Sequence, residues 1–358
     1  MMLASRSRSR TLGAGVASLL AAAGGLTLGS PAVAAGTGYV ALGDSYSSGT
    51  GTRSYLADGT SCQRSVYAYP SLDAAALGLW LTFRACSGAT VADVSSTQLS
   101  ALTSSTAYVS ISVGGNDAGF AGVLTTCAQP GWLSNCNKAV DGAQGIITAT
   151  LPGRLSSLYS SIRAKAPNAK VIVVGYPRVF NGSDCNALTW FSPSEESRLN
   201  ATADLLNATT ATIATGKGFT FVNPTSSFVG HAVCDRTEWL NGLSSPISES
   251  YHPNRAGHAS GLVPLTKPAF GVSAALSPSA ARAEAVSNRA ALTRDAARYA
   301  AVDRTITPER FVAPDLTTAR ARAAAKAAGV DLSSRASIDA ADRVATARQD
   351  AVWASTRR

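Results

Sequence analysis

Between residues 39 and 223 five short β-rich runs, at 39–42, 79–85, 107–113, 170–175 and 219–223, alternate with longer stretches of helical composition. That alternation is the pattern of a parallel sheet with crossover helices. The run Val171-Ile172-Val173-Val174 is apolar at every position rather than at every second one, as expected of a strand covered on both faces. Helices are predicted over 145–165, closed by Pro167, and over 193–215, closed by Gly216. The expected architecture is a three-layer α/β/α domain with a central parallel sheet of about five strands.

The pattern changes abruptly after Gly271, where Ala and Arg dominate and 88 residues carry a single Phe, Trp and Tyr. A helix is predicted over 315–328, with Asp315 as N-cap and Gly329 just past its end. A second is predicted over 336–354, with Ile338, Ala341, Ala345 and Val352 on one face. An alanine stripe buries little area at about 25 cal/mol per Å², so residues 271–358 are expected to be a solvated helical or partly disordered extension. The competing expectation is a contact with a wall or membrane surface through arginine.

Composition sharpens this division. With 46% hydrophobic and 15% charged residues the 358-residue chain can bury a large core, which excludes full disorder. The formal charge of +9 is concentrated at the ends, and residues 35–270 carry 14 basic against 13 acidic side chains. A nearly neutral folded region excludes phosphate-backbone binding as the main activity, so no nucleic-acid partner is expected. It also gives no reason for assembly, and a monomer is expected.

At the N-terminus Arg6, Arg8 and Arg10 precede an apolar, uncharged run over 12–28, and Ala32-Val33-Ala34 follows with the small-x-small pattern of a cleavage site. This reads as a signal peptide over 1–34, removed near Ala34 to release a secreted protein. The run is short and diluted for a membrane span, and the absence of an adjacent Arg pair favours general secretion. Six cysteines, Cys62, Cys86, Cys127, Cys136, Cys185 and Cys234, imply disulfides in an exported chain. Six cysteines allow 15 pairings, of which neighbour pairing, Cys62–Cys86, Cys127–Cys136 and Cys185–Cys234, is the simplest. No CxxC pair occurs and only His231, His252 and His258 are available, so neither a metal nor a cofactor is expected.

Candidate chemistry begins at Gly43-Asp44-Ser45, directly after the first strand of the domain, where parallel sheets present ligands. Gly-Asp-Ser is also good turn chemistry, and alone it says little. Three later segments change its meaning: Cys86-Ser87-Gly88 after the second strand, Gly114-Gly115-Asn116-Asp117 after the third, and Ser250-Tyr251-His252-Pro253 near the end of the domain. Ser45, Gly88, Asn116 and His252 stand in the order of the four block residues of the SGNH hydrolase superfamily, also called the GDSL lipases and esterases. The chain resembles that family over about residues 39–270, and looks especially like its secreted actinobacterial lipases and phospholipases A1.

The resemblance implies a serine carboxylic-ester hydrolase acting on lipid acyl esters. Ser45 would be the nucleophile and His252 the general base and acid, and the oxyanion would be held by the N–H groups of Ser45 and Gly88 and the Asn116 side chain. Most family members carry Asp three positions before the catalytic His, whereas this chain has Glu249 there. In the secreted lipases a main-chain carbonyl two positions before the His can orient it, which makes the Ser250 carbonyl the favoured candidate and Glu249 the other. Ester or lipid is the expected substrate, with transient contact at a lipid surface. An acetyl esterase acting on polysaccharide, or a non-catalytic surface-binding module on the same fold, is the alternative.

Overall fold

The computed structural model describes residues 1, 2 and 37–357; the expected leader and its cleavage site lie outside the described residues. Residues 37–357 form one unit. Its sheet is built from Gly38–Gly43 (β1), Trp80–Phe83 (β2), Tyr108–Ser112 (β3), Lys170–Val174 (β4) and Thr220–Val222 (β5). All five strands are parallel, in the order β2-β1-β3-β4-β5. Each β-rich run of the sequence supplies one of them. The second is shorter than its pattern because the Arg84 and Ala85 N–H groups both turn to the Ala41 carbonyl and end the ladder.

One helical layer comprises Val91–Asp93 (α3), Phe120–Cys127 (α4), Cys136–Ala149 (α5), Leu151–Lys165 (α6) and Pro193–Gly216 (α7). The short helix Ser45–Ser48 (α1) and the helices Tyr69–Leu77 (α2) and Val263–Ala269 (α8) complete the three layers. The single helix expected over 145–165 is two: the chain breaks at Thr150 ahead of Pro152, which lacks the N–H an uninterrupted helix needs. The helix beginning at Pro193 follows its pattern, with Ser192 and Glu195 forming a capping box. Disulfides join Cys62 to Cys86, Cys127 to Cys136 and Cys185 to Cys234.

Residues 271–357 are helical, as expected, and most of their side chains are exposed, but a minority of buried residues seats them on this domain. They form Pro278–Ser287 (α9), Arg289–Ala297 (α10), Ala300–Asp303 (α11), Ala319–Ala328 (α12) and Arg335–Ser355 (α13). Ala281 and Ala285 of α9 meet Leu72, Ala75 and Ala76 of α2, small residues that let the two backbones approach. α10 lies along the edge strand β2. The anchor is ionic. Asp303 at the end of α11 accepts two bonds from Arg84, both at 2.9 Å, and one from Arg64 at 2.5 Å, with all three side chains fully buried. Arg64 also pairs with Asp58 at 2.7 Å, and the Tyr299 ring stacks on the Arg84 guanidinium.

Two local expectations for this region are corrected. The helix predicted from Asp315 starts after Thr318, whose side chain takes the Ala321 N–H, while Asp315 caps a turn through the Thr317 N–H. On α13 the buried side is Ile338, Asp342 and Thr346, and Val352 is exposed. Polar anchors replace the apolar stripe there: Asp342 accepts from the Gly131 N–H, Gln349 donates to the Gly131 and Ser134 carbonyls, and Trp353 donates to Asp141.

Candidate active site

The turn that leaves β1 is locked before any side chain acts. Gly43 has φ +116, and a Cβ there would lie 2.3 Å from the Ser112 carbonyl oxygen of β3. The Gln98 amide brackets the same residue, accepting from the Gly43 N–H at 2.8 Å and donating to its carbonyl at 2.9 Å. Asp44 then caps α1 by accepting from the Tyr46 N–H and takes a 2.5 Å bond from the Tyr176 hydroxyl, which also receives the Gly115 N–H. Burial pushes the Asp44 carboxyl up to about 7, against the opposing pull of the Tyr176 bond. These bonds fix Ser45, the first residue of α1, at the carboxyl end of the sheet between the adjacent strands β1 and β3, whose following connections run to opposite sides.

His252 reaches this serine from the loop preceding α8. Its Nε2 lies 2.8 Å from the Ser45 Oγ and its Nδ1 2.9 Å from the Ser250 carbonyl oxygen. A carbonyl can only accept, so Nδ1 carries the proton and Nε2 is left to accept from the serine. The loop is pinned by the Tyr46 hydroxyl, which donates to the Tyr251 carbonyl at 2.8 Å, and by the Asn241 N–H, which donates to that of His252. Glu249 points elsewhere: its carboxylate accepts from the Tyr55 hydroxyl at 2.5 Å and lies 3.4 Å from Arg53. Burial pulls the imidazole down to about 4, and the Ser250 bond offsets this only in part.

Gly88, at φ +85, and Asn116 complete the ring around Ser45. Neither the Ser45 nor the Gly88 N–H donates to another group among the described residues. The Asn116 amide gives one N–H to the Ala89 carbonyl at 3.0 Å and keeps a second. Asp117 holds the neighbouring loop through the Val91 N–H. The other histidines lie outside this ring: His258 is buried and receives the Tyr69 N–H, and His231 stacks on Trp239. Sequence reasoning does not find Gln98, Tyr176 or Tyr55, because their spacing to Ser45 carries no local pattern; only the fold brings them near.

An apolar cleft runs from Ser45 between α4, α5 and α7, lined by Phe120, Val123, Leu124, Ile147, Leu199 and Leu206. Its free volume is about 80 Å³, and Pro308, Glu309, Arg310 and Phe311 from the C-terminal region close one side. The grouping of possible metal ligands among the described residues, Cys185, Cys234 and Glu238, has its two sulfurs joined in a disulfide. No helix among the described residues is long and apolar enough to cross a membrane.

Residues 41–260 match the GDSL-like Lipase/Acylhydrolase family. The chain is 44% identical over 258 residues to Lipase 1 of Streptomyces coelicolor, an alignment spanning 70% of this chain and 95% of that protein. It is 43% identical over 231 residues to a lipase of Streptomyces rimosus, covering 64% and 85%. Among solved structures, the extracellular lipase of Streptomyces rimosus superposes with a TM-score of 0.61 at 41% identity, over 65% of this chain and 99% of that one. Phospholipase A1 of Streptomyces albidoflavus gives a TM-score of 0.61 at 42% identity with the same coverage. The fold, the order of the motifs and these likenesses agree: the chain belongs to the GDSL-like lipase and acylhydrolase family and is a carboxylic-ester hydrolase.

Proposed function

We propose that this protein is a secreted lipase or phospholipase that cleaves acyl esters through Ser45 and His252, with the Ser250 carbonyl as the orienting group. The observation that carries the reading is the linear relay from the Ser250 oxygen through His252 to the Ser45 Oγ, 2.9 Å and 2.8 Å long, at the mouth of an apolar cleft. As Nε2 takes the serine proton, Oγ bonds to the ester carbonyl carbon. The oxyanion that forms lies against the N–H groups of Ser45 and Gly88 and the free Asn116 N–H, each donor worth roughly 2.7–4 kcal/mol in the transition state. Collapse breaks the bond to the alcohol, which leaves with the proton from His252. Water, deprotonated by the same imidazole, then releases the acid and restores the serine.

A carbonyl orienter fixes the ring without adding a negative charge, so the base stays neutral over a wide pH range. The apolar walls from α4, α5 and α7 suit an acyl chain, and the two solved relatives are an extracellular lipase and a phospholipase A1. Hydrolysis of p-nitrophenyl esters, phosphatidylcholine and acetylated xylan by the wild type and by Ser45→Ala tests the reading. Ester and phosphatidylcholine hydrolysis that vanishes in the variant is expected. Activity confined to acetylated xylan would move the substrate to polysaccharide, and activity that survives the substitution would remove Ser45 from the reaction.

A further inference from the structure

Resting on that serine-hydrolase reading, we propose that Pro308–Phe311 are a specificity-determining strap that shortens the acyl cleft and restricts the enzyme, while seated, to short acyl groups. The segment lies outside residues 41–260 that match the family, so it is an addition to the shared hydrolase region. It runs along one side of the site, from Gly88 to α4. Pro308 sits so close to Gly88 that a Cβ on the glycine would fall 2.3 Å from the Pro308 Cα. Glu309 lies over Gly122 of α4, where an added Cβ would come within 2.6 Å of its carboxylate oxygen. Phe311 is buried with its ring edge-on to Tyr251, centroids 4.9 Å apart, next to the residue that carries the catalytic imidazole. The Val312 N–H then donates to the Thr125 Oγ1 on α4 at 2.9 Å.

Both flanks are held. Upstream, Asp303 is locked to Arg64 and Arg84 inside the domain, and Ile306 is buried in the same core as the sheet. The volume left in the cleft is about 80 Å³. That is smaller than the roughly 150 Å³ cavity that accepts benzene, so with the strap seated the cleft takes an acyl group of a few carbons. Apolar side chains of α4, α5 and α7 line the cleft together with Pro308 and Phe311 of the segment. A long acyl chain therefore needs the strap displaced from Gly88 and Tyr251.

The test is the chain-length profile of the full protein, wild type beside Phe311→Ala and Phe311→Trp, on p-nitrophenyl acetate, butyrate and dodecanoate. The dodecanoate-to-acetate ratio of kcat/KM should rise about tenfold or more in Phe311→Ala, a change of the size a pocket-wall atom set commands, and fall in Phe311→Trp. An unchanged ratio with hydrolysis intact overturns the strap and leaves the Ser–His reading standing. Absence of hydrolysis in the wild type, or its survival in Ser45→Ala, overturns that reading and the strap with it. Should the variants not fold, wild-type protein labelled at Ser45 with a butyl or a dodecyl phosphonate decides the matter by hydrogen exchange at residues 309–313. Faster exchange with the dodecyl label supports the strap; equal exchange overturns it.

Discussion

His252 is oriented by a neutral carbonyl, and that choice has a measurable consequence. A carboxylate at Nδ1 would stabilise the imidazolium and raise its pKa; the Ser250 oxygen does so weakly, and burial prevails, drawing the group from 6.5 to about 4. The base must be neutral, so activity is present above that value and is lost as pH falls through it. The acid limb of kcat/KM should accordingly have its midpoint near 4 rather than near 6.5, read from a pH profile of the free enzyme on a soluble ester. Glu249 is engaged with Tyr55 and Arg53, and the His252 Nδ1 is paired with the Ser250 carbonyl instead. Glu249→Gln keeps an acceptor for the Tyr55 hydroxyl and should retain most of kcat, while His252→Ala should lose roughly three orders of magnitude or more. Equal losses in the two variants would return Glu249 to the site. Ser45, Gly88 and Asn116 each follow a predicted strand, and with His252 they were singled out because their order resembles that of the four block residues of the family. Gln98 and Tyr176 were not, since nothing in their neighbourhoods marks a side chain whose partner is dozens of residues away.

At the scale of elements, hydrophobic patterning located all five strands and the capping-box helix from Pro193, because continuous β-branched runs and a Ser-Pro-x-Glu start are local signals. Boundaries within the helical layer depended on finer chemistry, as at Pro152, where one missing N–H divides α5 from α6. The disulfides act at this scale, Cys127–Cys136 tying the end of α4 to the start of α5 and the other two joining loop segments. Cys185–Cys234 joins the segment after β4 to that after β5 across a separation of 49 residues. By the chain-entropy account a loop of that length is worth about 4 kcal/mol, and the two shorter bridges less. Reductant should therefore lower the Tm of the purified protein by several degrees or more in a thermal scan; an unchanged Tm would show that the bridges carry little of the stability.

On the scale of the whole molecule the decisive contact is Asp303 with Arg64 and Arg84. Asp303→Asn would leave the buried Arg84 guanidinium with no carboxylate and Arg64 with Asp58 alone, and should cost about 3–5 kcal/mol, seen as a lowered urea midpoint. A midpoint within error of the wild type would mean that water replaces the lost carboxylate. The sequence alone determined the sheet and its parallel connectivity, because both follow from short-range pattern, and the family resemblance of its motifs named Ser45, Gly88, Asn116 and His252 as the residues on which the proposed chemistry rests. It also marked the change at Gly271, but hydropathy valued that region by area and saw only alanine. What the tertiary structure decided is where those alanines go. Small side chains allow close helix packing, a single buried carboxylate finds two arginines more than 200 residues away, and the segment that follows it is brought against Gly88 and into the lining of the cleft beside Ser45. None of these depends on a residue's neighbours in the chain, so no periodicity could announce them.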